Sequence, residues 1–342
     1  MTTIAVPRVA ERTRRVPLGG VAWVTWRQHR TALAGATALL GALGLYLLFM
    51  GLSIHHAYAK VLACHPASSG ACDQLLNLFN QHYYGTQQGS VASSGINAQT
   101  VPFFLLAVPI LLGVFVGAPV LARELESGTF RFVWTQACGR VRWALVKLVL
   151  LGVTLTALAY LFSLLFSWYF SPFLAEGKTS KFPMQLFGNL GVDFAAWTLL
   201  AFAVAAFLGV VIRRTVAAMA IALTACTVLD VTTMMSLRQH YAAPVVASGA
   251  NPPNNSVWLT GQWLTGANGQ HIRFTDIPLS VQNSSNPNAF GNWLQSHHIT
   301  QWWSYLPGSD FWRFQLIEGG WVLALSALLI AAAVWMVRRR AA

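Results

Sequence analysis

Hydrophobic positions in this chain come in long uncharged blocks rather than in period-2 or period-3.6 stripes. Six blocks reach the roughly 20 residues that a bilayer crossing needs at 1.5 Å per residue. They lie at 31–53, 101–122, 146–169, 192–212, 215–237 and 319–337. The first runs from Thr31 to Ser53 without a charge. Only Arg213-Arg214 separates the fourth and fifth, which predicts a tight helical hairpin. Asp230 falls inside the fifth block and makes it the least regular of the six. The predicted fold is an all-α membrane protein with six transmembrane helices.

Composition agrees with this pattern. The 342 residues are 55% hydrophobic and 9% charged, with a mean hydropathy of +0.52. So little charge does not cover a soluble surface. The net charge of +12 suggests nucleic acid only in a soluble protein. Here its distribution follows topology. With six crossings both termini share one side. That side carries Arg8, Arg12, Arg14, Arg15, Arg27, Arg30, Arg123, Arg131, Arg140, Arg142, Lys147, Arg213, Arg214, Arg338, Arg339 and Arg340, sixteen of the 22 basic residues. The positive-inside rule puts both termini in the cytoplasm of a multi-pass plasma-membrane protein, and no nucleic-acid partner is expected. Ala57-Tyr58-Ala59 looks like a signal-peptidase site, but the preceding apolar run is too long for a signal peptide.

Four regions follow. Residues 1–30 form a basic tail and a short helix. Trp23 and Trp26 lie three apart there, as do Arg27 and Arg30, which suits an interfacial helix with its rings toward lipid and arginines toward phosphate. An aromatic-belt flank of the first span is the plainer reading. Residues 31–237 hold five spans and a cytoplasmic loop, 123–145. Residues 238–318 form a large extracytoplasmic segment rich in turn formers and tryptophan. Residues 319–342 hold the last span and a basic tail. The second span contains Gly113-x-x-x-Gly117, a spacing that permits close helix approach.

Catalytic and nucleotide-binding patterns are not found. Gly177-Lys178-Thr179 resembles the end of a phosphate-binding loop, but Pro172 stands where its first glycine belongs. The outer histidines fit no metal-ligand spacing, so no metal or cofactor is expected on this chain. Cys64 and Cys72 share an outer loop with a turn-forming stretch between them, and a disulfide is expected there. Asp230 has two readings: a residue lining a substrate exit, or an interface residue hydrogen-bonded to the outer segment.

The 123–136 segment is the most informative. Phe130, Val133 and Trp134 share one face of a short helix. Glu124 and Glu126 stand near its start, where the helix dipole favours anions, and Ser127 offers a cap. Such a helix fits a groove on a soluble partner. Burial of its rings in the headgroup layer is the alternative.

Glu124-x-Glu126-x-Gly128-Thr129, Trp134-Thr135-Gln136, Arg140-x-Arg142-Trp143 and Lys147 together resemble the loop after the second span of ABC-2-type transporter permeases, in the form common among actinobacterial exporters. Trp26-Arg27-Gln28-His29-Arg30, Tyr305-Leu-Pro307 with Phe311-Trp312 and Gln315-x-x-Glu318, and Val337-Arg338-Arg339-Arg340 extend the likeness. The resemblance implies a half-transporter: two permease subunits, expected as a homodimer in membrane lipid, driven by separate ATP-binding subunits that carry ATP and Mg. Glu124–Gln136 would be the coupling helix and Trp23–Arg30 its connector. A membrane-embedded sensor or assembly protein with a ligand-binding outer segment is the alternative.

Overall fold

The computed structural model describes residues 18–65, 70–85, 97–128, 139–249, 256–286 and 288–340. Helices dominate: α1 Leu18–Ala63, α2 Gly70–Tyr84, α3 Val101–Leu105, α4 Val108–Ser127, α5 Arg140–Ala175, α6 Met184–Phe187, α7 Asp193–Ile212, α8 Thr215–Thr232, α9 Leu279–Gln282, α10 Ala289–Ser296 and α11 Phe311–Arg340. Six helical stretches are long and apolar enough to cross a membrane: Gly19–Ala63, Val101–Ser127, Arg140–Ala175, Asp193–Ile212, Thr215–His240 and Gly308–Arg339. They match the six predicted blocks, with half of the twelve ends extended by about one to three turns.

The extensions have local causes. No proline interrupts residues 18–63, so α1 continues through both polar flanks of its apolar block. The separate interfacial helix expected before the first span is therefore absent. Trp23, Trp26, Arg27 and Arg30 occupy the first turns of α1, all exposed. The second span is broken instead. Leu106 and Ala107 part α3 from α4, because Pro109 lacks the N–H that would continue the ladder to Leu105. At the hairpin, Arg213 adopts the left-handed conformation (φ 58°) that ends α7, and α8 restarts two residues later. Past Thr232 the fifth span loosens and then tightens, through a π-turn at Thr233–Leu237 and a 3-10 turn at Arg238–His240.

The core pair is α4 with α7. A Cβ at Gly113 would lie 2.5 Å from the Thr198 carbonyl oxygen, and one at Gly117 would overlap that of Phe202. The Gly113/Gly117 face thus lies backbone to backbone on α7, which returns Gly209 against Ala118 and Ala122. Packing of this kind, not water exclusion, holds helices together in lipid.

The 238–318 segment is more ordered than its turn-rich composition predicts. Four strands, β1 Val245–Ser248, β2 Trp258–Thr265, β3 His271–Ile272 and β4 Thr300–Leu306, form an antiparallel sheet in the order β1-β4-β2-β3. Trp263 and Trp302 are cross-strand partners with stacked rings 6.4 Å apart. Leu264, Ile277 and Leu294 form a small core under the sheet. Pro307 and a 3-10 turn at Gly308–Asp310 then feed the chain directly into α11. A disulfide joins Cys64, just past α1, to Cys72 in α2, with Cα atoms 5.7 Å apart.

Candidate functional site

The two ends of the helical bundle differ in chemistry. At the basic end, α4 stops where Gly128 turns left-handed (φ 72°). Glu124 and Glu126 therefore occupy the last turn of a span, not the first turn of a coupling helix. Ser127 is the last residue of α4, and its Oγ donates back to the Glu124 carbonyl at 3.4 Å. An anion at a helix C-terminus is disfavoured by the dipole, and both carboxylates are compensated from elsewhere.

Residues two apart on a helix point to nearly opposite sides, so the pair reaches two different helices. Glu124 accepts from the ammonium of Lys147 on α5. That ammonium is buried and lies 4.6 Å from the Trp143 ring centroid. Glu126 accepts from the Thr215 backbone N–H at 3.1 Å and from Thr215 Oγ1 at 2.9 Å. It thereby satisfies an orphan donor at the N-terminus of α8, where the dipole favours a carboxylate. One turn of α4 thus ties α5 and α8 together. Thr129, Phe130, Val133 and Trp134, the rest of the expected docking face, lie outside the described residues.

At the sheet end, three spans meet around buried charge. Arg238 follows the π-turn and is 1% exposed; Glu318 on α11 and Asp193 at the start of α7 are fully buried. Arg238 grips Glu318 through two parallel bonds, Nε to Oε2 at 2.9 Å and Nη2 to Oε1 at 2.7 Å. This fork is the strongest geometry available to a guanidinium and a carboxylate. Trp197 Nε1 donates to Glu318 Oε1 at 3.3 Å, and the guanidinium lies 3.9 Å from the Phe187 ring centroid. Asp193 Oδ2 stands 3.7 Å from Arg238 Nη2, yet neither Asp193 oxygen accepts a hydrogen bond from the described residues.

Gln315, one turn before Glu318, completes the junction. Its Oε1 accepts from the backbone N–H groups of Val192 and Asp193 at 3.0 and 3.1 Å, and its Nε2 donates to the Phe187 carbonyl at 3.0 Å. A side chain from α11 therefore caps α7. Asp230 is also buried and within electrostatic reach of Arg238 and Glu318. Just outside the spans, Tyr241 accepts a 3.0 Å hydrogen bond from Trp321 Nε1. Burial and the nearby Glu318 charge push its hydroxyl up to about 12.

Lys147 and Thr215 at one end, and Asp193, Arg238 and Glu318 at the other, escape a reading based on hydropathy. Each stands at the edge of an apolar block, where it reads as a boundary. The available signal was that an ionisable residue at membrane depth needs a named partner.

Among the described residues, no group of three or more His, Cys, Asp or Glu side chains is arranged to hold a metal ion. No curated protein and no solved structure matches the chain. The family model described as "ABC-2 membrane transporter related" matches residues 37–238. That is more than half of the chain, from the first span to the Arg238 of the buried cluster. The protein belongs to the ABC-2 membrane transporter-related family.

Proposed function

We propose that the chain is the permease subunit of an ATP-driven exporter, with hydrolysis carried out by a separate ATP-binding subunit. Its termini and the 128–139 loop face the cytoplasm, a second copy completes the translocation path as a homodimer, and substrate moves outward at the plasma membrane. ATP and Mg belong to the partner. The observation that carries this reading is the junction at the end of α4. The stretch beginning at Glu124 leads directly into the proposed partner contact of Thr129, Phe130, Val133 and Trp134. The same turn is fastened to α5 through Lys147 and to α8 through Thr215. A push on the loop would reach three spans at once. The exposed Trp23, Trp26, Arg27 and Arg30 turns of α1 supply a connector on the same face.

The test is co-purification of the ATP-binding subunit with tagged permease, followed by ATPase assay of the reconstituted pair. Cysteines placed at residues 65–95 or 255–300 should label from outside intact cells, and cysteines at 125–140 should not. Failure to capture any ATPase, with labelling of 125–140 from outside, would overturn the assignment.

A second reading has one observation in its favour. The sheet and α10 enclose an open cavity of about 530 Å³ lined by Ser248, Asn288, Asn292, Gln295, Thr300 and Gln301 among others. Hydrogen-bonding side chains without a charge suit a neutral polar ligand. A ligand-sensing membrane protein would bind it with no ATPase partner.

A further inference from the structure

At the basic end, the start of α5 and the end of α11 border an open cavity of about 590 Å³ with an almost wholly apolar surface. Val141, Leu145 and Val146 supply the wall, and Arg142 of α5 and Arg338 of α11 border it from two helices. No carboxylate lines it among the described residues. Arg142 is half-buried and Arg338 exposed, and neither forms an ion pair with the described residues. Leu145 is exposed in the first turns of a membrane-spanning helix.

These features select the ligand. An aqueous anion gains nothing from an apolar wall, and a hydrocarbon chain gains nothing from a pair of arginines. A molecule with an acyl chain joined to a phosphate gains from both. Guanidinium matches phosphate oxygens in a planar fork, and basic residues at a membrane surface favour anionic over zwitterionic lipid. We propose that this groove binds one anionic glycerophospholipid, with its phosphate between Arg142 and Arg338 and an acyl chain along Val141, Leu145 and Val146. The lipid bridges α5 to α11, and α5 carries the Lys147 that holds Glu124. The proposal rests on the chain spanning a membrane, not on ATP coupling.

The purified full chain is tested alone, so loss of the ATPase reading would leave the result intact. The protein is incorporated in nanodiscs of mixed phosphatidylglycerol and phosphatidylcholine, and lipid retained after detergent extraction is read by native mass spectrometry. Phosphatidylglycerol should be retained selectively. Arg142→Gln/Arg338→Gln removes two basic contacts and should weaken retention roughly thirtyfold. Arg142→Lys/Arg338→Lys should keep most of it and shows that the site tolerates substitution. Arg313→Gln, which removes one charge at the opposite end of α11, should change nothing. Three outcomes would each overturn the proposal: equal retention of phosphatidylcholine, undiminished phosphatidylglycerol in the Gln pair, or inorganic phosphate raising the melting temperature as far as the lipid does.

Discussion

Glu126 on α4 caps α8 by accepting from both the backbone N–H and the hydroxyl of Thr215, 89 residues further along the chain. The carboxylate that sequence likeness assigns to a partner is therefore already engaged within the subunit. Under the proposed function, Glu126 would carry load from the 128–139 loop into the α7–α8 hairpin.

Replacing Glu126 by Lys should loosen that hairpin first. Amide hydrogen exchange across residues 213–218 should accelerate severalfold, while the rest of α8 stays protected. ATPase capture and export should both fall. Glu126→Gln keeps an acceptor and should retain much of the cap. Unchanged exchange in the Lys variant would remove Glu126 from the path between loop and hairpin.

Breaking the sheet-end cluster from one side should be severe. Glu318→Leu leaves Arg238 buried without its fork, and such a loss costs about 3–5 kcal/mol. Arg238→Met leaves Glu318 in the same difficulty. The double variant removes both charges and should be more stable than either single one. Unfolding midpoints in detergent for the three variants would decide the matter. Strict additivity would show that the two residues are not coupled.

Gly117 should tolerate no side chain. Its added Cβ would meet the backbone of Phe202 on α7, which cannot retreat like a flexible side chain. Gly117→Val should lower the yield of folded protein and cost about 1–3 kcal/mol through overpacking. Gly35→Val serves as the control, because nothing lies within 4 Å of a Cβ there. Equal melting temperatures for the two variants would contradict the α4–α7 contact.

Acid should weaken α2. Burial lowers the pKa of His82 below its ordinary 6.5, so the folded state prefers the neutral ring. The unfolded state then binds more protons as pH falls through 6.5. This contribution is present above pH 6.5 and is lost progressively below it. His82 is only half-buried, and the effect should be modest. Exchange across residues 70–85, corrected for intrinsic rates, should be faster at pH 5.5 than at pH 7.5, and His82→Gln should flatten the difference.

Hydropathy and charge distribution by themselves determined the six spans, the Arg213-Arg214 hairpin and the concentration of basic residues at one end. Those properties are sums over neighbouring residues, and a bilayer responds to such sums. The sequence could also mark Gly113 and Gly117 as a close-packing face. Only the tertiary structure identified α7 as the helix that fills it, because any small-residue surface would satisfy the same spacing.

Partners for the charges were decided in the same way. Glu124 with Lys147, Glu126 with Thr215 and Arg238 with Glu318 are separated by 23, 89 and 80 residues. Nothing local to Glu124 or Glu126 reveals that α4 continues through them to Gly128, so the dipole argument was applied from the wrong end of a helix. Residues 258–306 read as turn and aromatic surface because their strands are short and interrupted. A ladder such as Trp263 against Trp302 becomes visible only once the two segments lie side by side, since a strand's hydrogen bonds are made to another part of the chain and a helix's to its own next turn.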